Sequence, residues 1–218
     1  MHRSVQPEIL DSLAPDDPAA IANRRDLRTF NHLMGNFRWV RKELSGYSAQ
    51  GAILELGAGD GSLGLYLLRK GVLSDENLYT GMDIIRRPRG WPPSWGWMQK
   101  DLRELAFPED TRTVIANMIL HQFESEELSN LGLRIERSGL KRLLLCEPAR
   151  RRVHLRQVAA SRFLLGVHPV TLHDARVSIE AGFRGEELAE ALNLDRRVWS
   201  IRCTEHFLGA NRLLCLRR

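Results

Sequence analysis

Glu55-Leu56-Gly57-Ala58-Gly59-Asp60-Gly61-Ser62-Leu63-Gly64 is the stretch on which the reading of this chain turns. The apolar run AILEL (52–56) leads into it, and the helical pattern Leu65-Tyr66-Leu67-Leu68 follows. A buried strand, a turn with alternating glycines and a helix bring a ligand against bare backbone, because glycine accepts positive φ and has no Cβ in the way. A flexible turn needs no such spacing.

The rest of the chain extends this unit. LYTGMD, WGWMQ, RTVIANM, KRLLLCE, VWSIRCT and NRLLCLR each read as a further strand. The first five strands alternate with helical or loop segments, which predicts a mainly parallel sheet covered on both faces. Only His206 to Ala210 separate the last two, so they are expected to form an antiparallel hairpin. Residues 1–46 read as mostly helical. Asp17-Pro18 is a helix start, Gly35-Asn36 a break with Asn36 capping a second helix through Leu44, and Ser45-Gly46 its end. The expectation is an α/β Rossmann-like fold: a helical cap over 1–46, then one domain over 47–218 with seven strands, mostly parallel, the last antiparallel.

Gly59-Asp60-Gly61-Ser62-Leu63-Gly64 also matches the dinucleotide fingerprint G-x-G-x-x-G. Two features oppose a dinucleotide. Gly57 already begins the turn, so the match starts late. Asp60 stands inside the loop, where it would repel a pyrophosphate that seeks bare N–H groups. S-adenosylmethionine carries a sulfonium and an ammonium and no phosphate, so the carboxylates of Glu55 and Asp60 suit it. Asp83 follows at the tip of the second strand, where a carboxylate can accept both hydroxyls of a ribose. Asp101 ends the third strand, placed either to accept from an adenine amino group, with the Leu102 N–H donating to the ring, or to cap a helix.

These motifs, ELGAGDGSLG, YTGMD, QKDL and ANMILHQF, resemble class I S-adenosylmethionine-dependent methyltransferases over roughly residues 50–218. The N-terminal PEILDSLAPDDPAAIANRRDLRTFNHLMGN resembles a bacterial subgroup of small methyltransferases often labelled as similar to quinone methyltransferases. The resemblance implies that Glu55 with Gly57, Gly59 and Gly61 holds the methionine end. It implies Asp83, next to Met82, at the ribose, Asp101 and Leu102 at the adenine, and Asn117 beside the methionine moiety. The product would be S-adenosylhomocysteine, and the acceptor a small, aromatic or quinone-like molecule. The subgroup's paired histidines after the fourth strand read His121-Gln122 here. After the fifth strand, Glu147-Pro148-Ala149-Arg150 lacks a histidine, although His154 follows.

Methyl transfer is a displacement at carbon in which positioning supplies much of the acceleration, and a base is needed only where the acceptor carries a proton. His121 is the first candidate base, expected to be neutral at pH 7 from an ordinary pKa near ~6.5. The alternative is a histidine packed under the next helix. His154 and His168 are weaker candidates. In His173-Asp174 the aspartate reads as the N-cap of a helix ending at Gly182. Trp97 reads as core at the start of the third strand, and Trp91 and Trp95 as surface aromatics on a Pro-Pro turn, the alternative being the walls of an aromatic pocket. The N-terminal helices are the expected lid.

The 218 residues, 43% hydrophobic and 27% charged, suit one sizeable soluble domain. No run approaches the ~20 apolar residues of a membrane span, and MHRSVQPEIL lacks a signal peptide's apolar core. Cys146, Cys203 and Cys215 are odd in number and form no C-x-x-C pair. They read as reduced thiols in the cytoplasm, not as metal ligands. A net charge of +5 with arginine clusters at 24–25, 86–87, 150–152 and 217–218 admits a rival, a nucleic-acid methyltransferase. Against it, Asn117-Met118-Ile119-Leu120 is not the Asn-Pro-Pro-Tyr pattern of base-amino methylation. A second rival is a binding protein without turnover on the same fold.

Overall fold

The computed structural model describes residues 1–14, 16–45, 51–74 and 78–218. The strands are β1 (Ala52–Leu56), β2 (Tyr79–Asp83), β3 (Gly96–Gln99), β4 (Thr111–Asn117), β5 (Arg142–Pro148), β6 (Trp199–Glu205) and β7 (Ala210–Arg217). They form one sheet in the order β3-β2-β1-β4-β5-β7-β6. β1 to β5 pair in parallel, and β7 enters antiparallel between β5 and β6. The expected Rossmann-like sheet and terminal hairpin are therefore what the chain forms.

The helices are α1 (Pro18–Met34), α2 (Asn36–Ser45), α3 (Ser62–Arg69), α4 (Ser125–Arg137), α5 (Arg152–Leu165), α6 (Pro169–Ala181) and α7 (Glu187–Ala191). Strand side chains alternate between two cores. Leu54, Leu56, Val114, Ala116, Leu143 and Leu145 face Leu128, Leu131 and Ile135 of α4 and Leu188 of α7. Ile53, Ile115, Leu144 and Cys146 face Val40 and Leu44 of α2 and Leu63 and Leu67 of α3. Each fully buried aliphatic chain contributes roughly 1.5–3 kcal/mol, so both faces must stay covered.

Three local expectations are corrected. Trp91 and Trp95 are core residues, 4% and 2% exposed, packed with Tyr79 at centroid distances of 5.8 and 4.6 Å. Gly61, Gly64 and Gly81 leave the space that the Trp91 ring fills. Trp97 lies on edge strand β3 and is only partly buried. Asn36 is the buried first residue of α2, its Oδ1 accepting from Arg212 at 3.4 Å. Gly35, left-handed at φ 71, makes the break. Asp174 does not cap its own helix, because Pro169 already starts α6 after His168. Its buried carboxylate instead accepts from the Ile9 and Leu10 amides at 2.8 and 3.1 Å and from Asn23 Nδ2 at 2.8 Å.

Asp17 does cap α1, accepting from the Ala19 amide at 2.7 Å, with Pro18 following. Gly46 and the expected boundary between residues 46 and 47 lie outside the described residues. α5 and α6 are inserted between β5 and α7, and α6 packs on α1, α5 and the 3-10 turn Ile9–Ser12. Asp26 ties α1 to α6, accepting from the His168 amide at 2.8 Å and Thr171 Oγ1 at 3.1 Å. The sequence reading assigned neither α5 nor α6, and α6 is the element that joins α1 to the end of β5 and the turn after β4.

Candidate functional site

The glycine loop leaves β1 with Gly57, Gly59 and Gly61 at φ 62, 54 and 74. A Cβ on Gly57 would strike Ile119, and one on Gly61 would strike Trp91, while one on Gly59 would meet nothing within 4 Å. The turn is thus wedged by side chains at its two ends and open at its middle. The Ala58 amide donates to the Met82 carbonyl at 3.0 Å, and the Gly59 amide donates to Asp83 Oδ2 at 2.8 Å. Met82 contributes this carbonyl, while its side chain, 1% exposed, belongs to the core.

The carboxylates around the loop have distinct surroundings. Glu55 is 3% exposed and accepts from the Tyr79 hydroxyl at 2.7 Å. Burial pushes its carboxyl up, the Tyr79 hydroxyl offsets part of that, and Asp60 and Asp83 add to it, leaving a pKa of about 8. Asp60 accepts from the amide and hydroxyl of Ser62 at the start of α3 and pairs with Arg28 of α1 at 3.1 Å. Asp83, at the end of β2, also accepts from the Ile85 amide at 3.1 Å. Asp101 caps the 3-10 turn Leu102–Glu104 through the Arg103 amide at 2.8 Å and pairs with the Arg103 guanidinium at 3.2 Å. The Leu102 side chain is buried in the core.

Asn117 ends β4 next to the loop. Its Nδ2 donates to Asn31 Oδ1 of α1 at 3.1 Å, and its own buried Oδ1 has no partner among the described residues. Met118 follows at φ 60, a left-handed conformation rare for such a side chain, with its amide held by the Cys146 carbonyl at 2.8 Å. Arg28 and Asn31, three residues apart on α1, therefore reach Asp60 and Asn117.

His121 lies in the 3-10 turn Leu120–Gln122 and is 3% exposed. Its Nδ1 is 2.7 Å from Glu147 Oε2, and its Nε2 is 3.2 Å from Glu8 Oε1. Burial pushes the imidazolium down, but the hydrogen bonds and charges of Glu147 and Glu8 outweigh it and hold the pKa at about 9. The expected neutral imidazole is thus corrected: between two carboxylates the ring is a cation at pH 7 with both nitrogens engaged. Glu147 also accepts from the Ile119, Leu120 and His121 amides. Glu8 further accepts from Ser178 of α6 at 2.6 Å. Arg3 binds the His121 and Phe123 carbonyls at 3.0 and 2.6 Å.

His154 is buried in α5, its Nδ1 2.7 Å from Gln157 Oε1 and its ring against Gly209. His168 caps α6, and His173 sits half-exposed beside Asp174 at 3.2 Å. Among the described residues no cluster of histidine, cysteine and carboxylates is arranged to hold a metal. The sequence reading named neither Glu8, Asn31 nor Arg28, and Glu147 only as a departure from a pattern. Glu147, an acid ending an apolar strand, carried a usable signal. Glu8 carried none, being 113 residues from its partner His121.

No family model and no curated protein matches the chain. Solved structures do. Plantazolicin methyltransferase BamL, in complex with a triazolic desmethylPZN analog and SAH, aligns over 95% of this chain and 92% of its own, with TM-score 0.69 at 8% identity. Magnesium protoporphyrin IX methyltransferase ChlM from Synechocystis PCC 6803, with bound SAH, aligns over 94% and 97%, with TM-score 0.60 at 17% identity. The pyocyanin biosynthetic protein PhzM aligns over 97% of this chain and 62% of its own, with TM-score 0.62 at 15% identity. At these identities the likeness establishes the fold, which is that of class I methyltransferases.

Proposed function

We propose that this chain is an S-adenosylmethionine-dependent methyltransferase acting on a small, aromatic or quinone-like molecule. The carrying observation is the open middle of the glycine loop at Gly59, bordered by acceptor groups: buried Glu55, Asp83 and the unpartnered Asn117 Oδ1. A ligand with an ammonium, a sulfonium and a ribose diol supplies the donors and positive charge those groups lack. S-adenosylmethionine, when bound, supplies an electrophilic methyl whose departure leaves a neutral thioether.

The chain's own residues then have defined tasks. Glu55 and the backbone of Gly57, Gly59 and Gly61 take the methionine end, with Asn117 beside it. Asp83 takes the ribose hydroxyls, and Met82 before it holds the glycine loop through its carbonyl. Asp101 and the Leu102 amide take the adenine. The α1 face bearing Arg28 and Asn31, with α6, keeps water from the strand ends, which favours displacement at carbon. The helical cap over 1–46 and the domain over 47–218 work as lid and platform. His121, as an imidazolium engaged on both nitrogens, orients the turn after β4 instead of accepting a proton. His154 is farther in role, held by Gln157. An acceptor whose nucleophilic atom is already electron-rich fits a site in which His121 and His154 are both engaged.

The names of BamL and ChlM as methyltransferases, each with SAH, support this cofactor, and the molecules those names print support a small acceptor. Three free thiols, with burial pushing Cys215 up to about 12, suit a reducing, cytoplasmic setting. Calorimetry with S-adenosylmethionine, S-adenosylhomocysteine and NAD tests the reading. Micromolar binding of the first two is expected, and tighter binding of NAD would overturn it.

A further inference from the structure

α5 shows solvent an unusual face. Its sequence, RVHLRQVAASRFLL, holds three arginines and no carboxylate. At helical spacing Arg152, Arg156, Ala159 and Phe163 fall on one stripe, and that stripe points outward, while His154 and Ser161 are the buried positions. Phe163 is 86% exposed and Leu164 79%, with Leu165 and Val153 about half exposed. The β6–β7 turn lies alongside: Gln157 Nε2 donates to the Phe207 carbonyl at 3.0 Å, and the Phe207 side chain is also largely exposed. Two elements thus present phenylalanines and aliphatic chains to water together, and soluble monomers rarely leave such groups contiguous.

The charge beside this patch is positive and uncompensated. Arg152, Arg156 and Arg162 take part in no salt bridge among the described residues. Arg152 and Arg156 line an open cavity of about 470 Å³ with Met1, His2 and one carboxylate, Glu180, which is paired with Arg176 at 3.0 Å. Burial, followed by Arg212 and Arg38, pushes the imidazole of His206, next to Phe207, down. A second copy docked face to face would set these arginines against one another.

We propose that the outward face of α5, with the hairpin tip at Phe207, is a docking surface for anionic phospholipid bilayers. Phe163, Leu164 and Phe207 enter the boundary between headgroups and acyl chains, and Arg152, Arg156 and Arg162 meet the lipid phosphates. None of these residues is among those given to the cofactor, so the proposal does not depend on the chemistry carried out at the glycine loop.

Flotation of the full chain with phosphatidylcholine vesicles, with and without phosphatidylglycerol, tests it. Binding is expected with phosphatidylglycerol, falling as salt rises, and little without it. Phe163→Ser with Leu164→Ser, Phe207→Ser, and Arg152→Glu with Arg156→Glu should each lower the bound fraction, the double variants by about tenfold or more. These side chains are exposed, and an unchanged circular-dichroism melt confirms that each variant folds. Absence of flotation, or flotation that none of the variants alters, overturns the proposal. So does a concentration-dependent dimer, or RNA binding, that the variants abolish while vesicles bind nothing.

Discussion

His121 and Glu147 form a buried ion pair, Nδ1 to Oε2 at 2.7 Å, that joins the turn after β4 to the end of β5. Glu8 on the other ring nitrogen extends it to the N-terminal segment. Removing one partner of such a pair leaves a buried charge uncompensated and typically costs about 3–5 kcal/mol. His121→Ala should therefore lower stability by that order, measured by urea denaturation, and should loosen residues 1–8 to proteolysis. The wild-type rate of methyl transfer should show no step near pH 6.5. A variant of unchanged stability, with a wild-type step at that pH, would restore His121 as a free base.

The same group, with Glu55, sets a pH dependence of stability. His121 is raised from 6.5 to about 9, and Glu55 from 4.5 to about 8. Both folded values exceed the unfolded ones, so the folded chain holds more protons between them and loses stability as pH rises. The Glu55 contribution is complete below about 4.5 and gone above about 8, and that of His121 is complete below about 6.5 and gone above about 9. Glu8 and Asp26, held low, act at acid pH in the opposite sense. Tm should fall steadily from pH 6.5 to 9, and a flat or rising Tm across that window would contradict this.

Asp83 has two tasks in this reading. In the free protein it accepts from the Gly59 and Ile85 amides, and with cofactor it also meets the ribose. Hydrogen bonds to a charged group contribute about 1.5–3 kcal/mol each. Asp83→Ala should weaken S-adenosylmethionine by about tenfold or more by calorimetry, with the fold intact. Asp83→Asn, which keeps an acceptor, should fall between. An unchanged dissociation constant in Asp83→Ala assigns the residue to loop capping alone.

What the sequence shows of this molecule is what short-range pattern carries. AILEL, RTVIANM and KRLLLCE announce buried strands because both faces of a parallel sheet are covered, and Asp17-Pro18 announces a helix start by local bonding. The glycine loop was legible because backbone conformation dictates residue type. Trp91 misread because its ring fills space left by three glycines on other elements, at 61, 64 and 81, and Trp95 because it packs on Tyr79 and Trp91. Asp174 misread because its partners, Ile9, Leu10 and Asn23, lie over 150 residues away. The state of His121 was hidden for the same reason, since an imidazole's charge is decided by neighbours that only the fold brings together.

The loop glycines should differ in tolerance. Each stands at positive φ, which costs an L-residue roughly 1–2 kcal/mol. Gly57→Ala adds a collision with Ile119, at 2.6 Å to Cγ1, whereas Gly59→Ala meets only open space. Gly57→Ala should therefore destabilise the protein more than Gly59→Ala in denaturant titration. Gly59→Ala should instead act on S-adenosylmethionine affinity, because its methyl group points where ligand is proposed to lie. Equal stability losses with unaltered affinity would move the ligand elsewhere.

Glu55 gives the last prediction. With its carboxyl pushed up to about 8 by burial, it is mostly protonated at pH 7 in the free chain. A bound ammonium or sulfonium nearby favours the carboxylate, so cofactor binding should expel the proton. Calorimetry at pH 7 in buffers of different ionisation enthalpy should show release approaching one proton. Affinity should rise with pH up to about 8 and then level. Glu55→Gln keeps the shape and loses the titration, so the buffer dependence should vanish and affinity should fall. Tyr79→Phe removes the hydroxyl that offsets burial, so the rise in affinity should move to higher pH. Binding with no proton release in the wild type would place the cationic end of the ligand away from Glu55, even if the glycine loop still holds the rest.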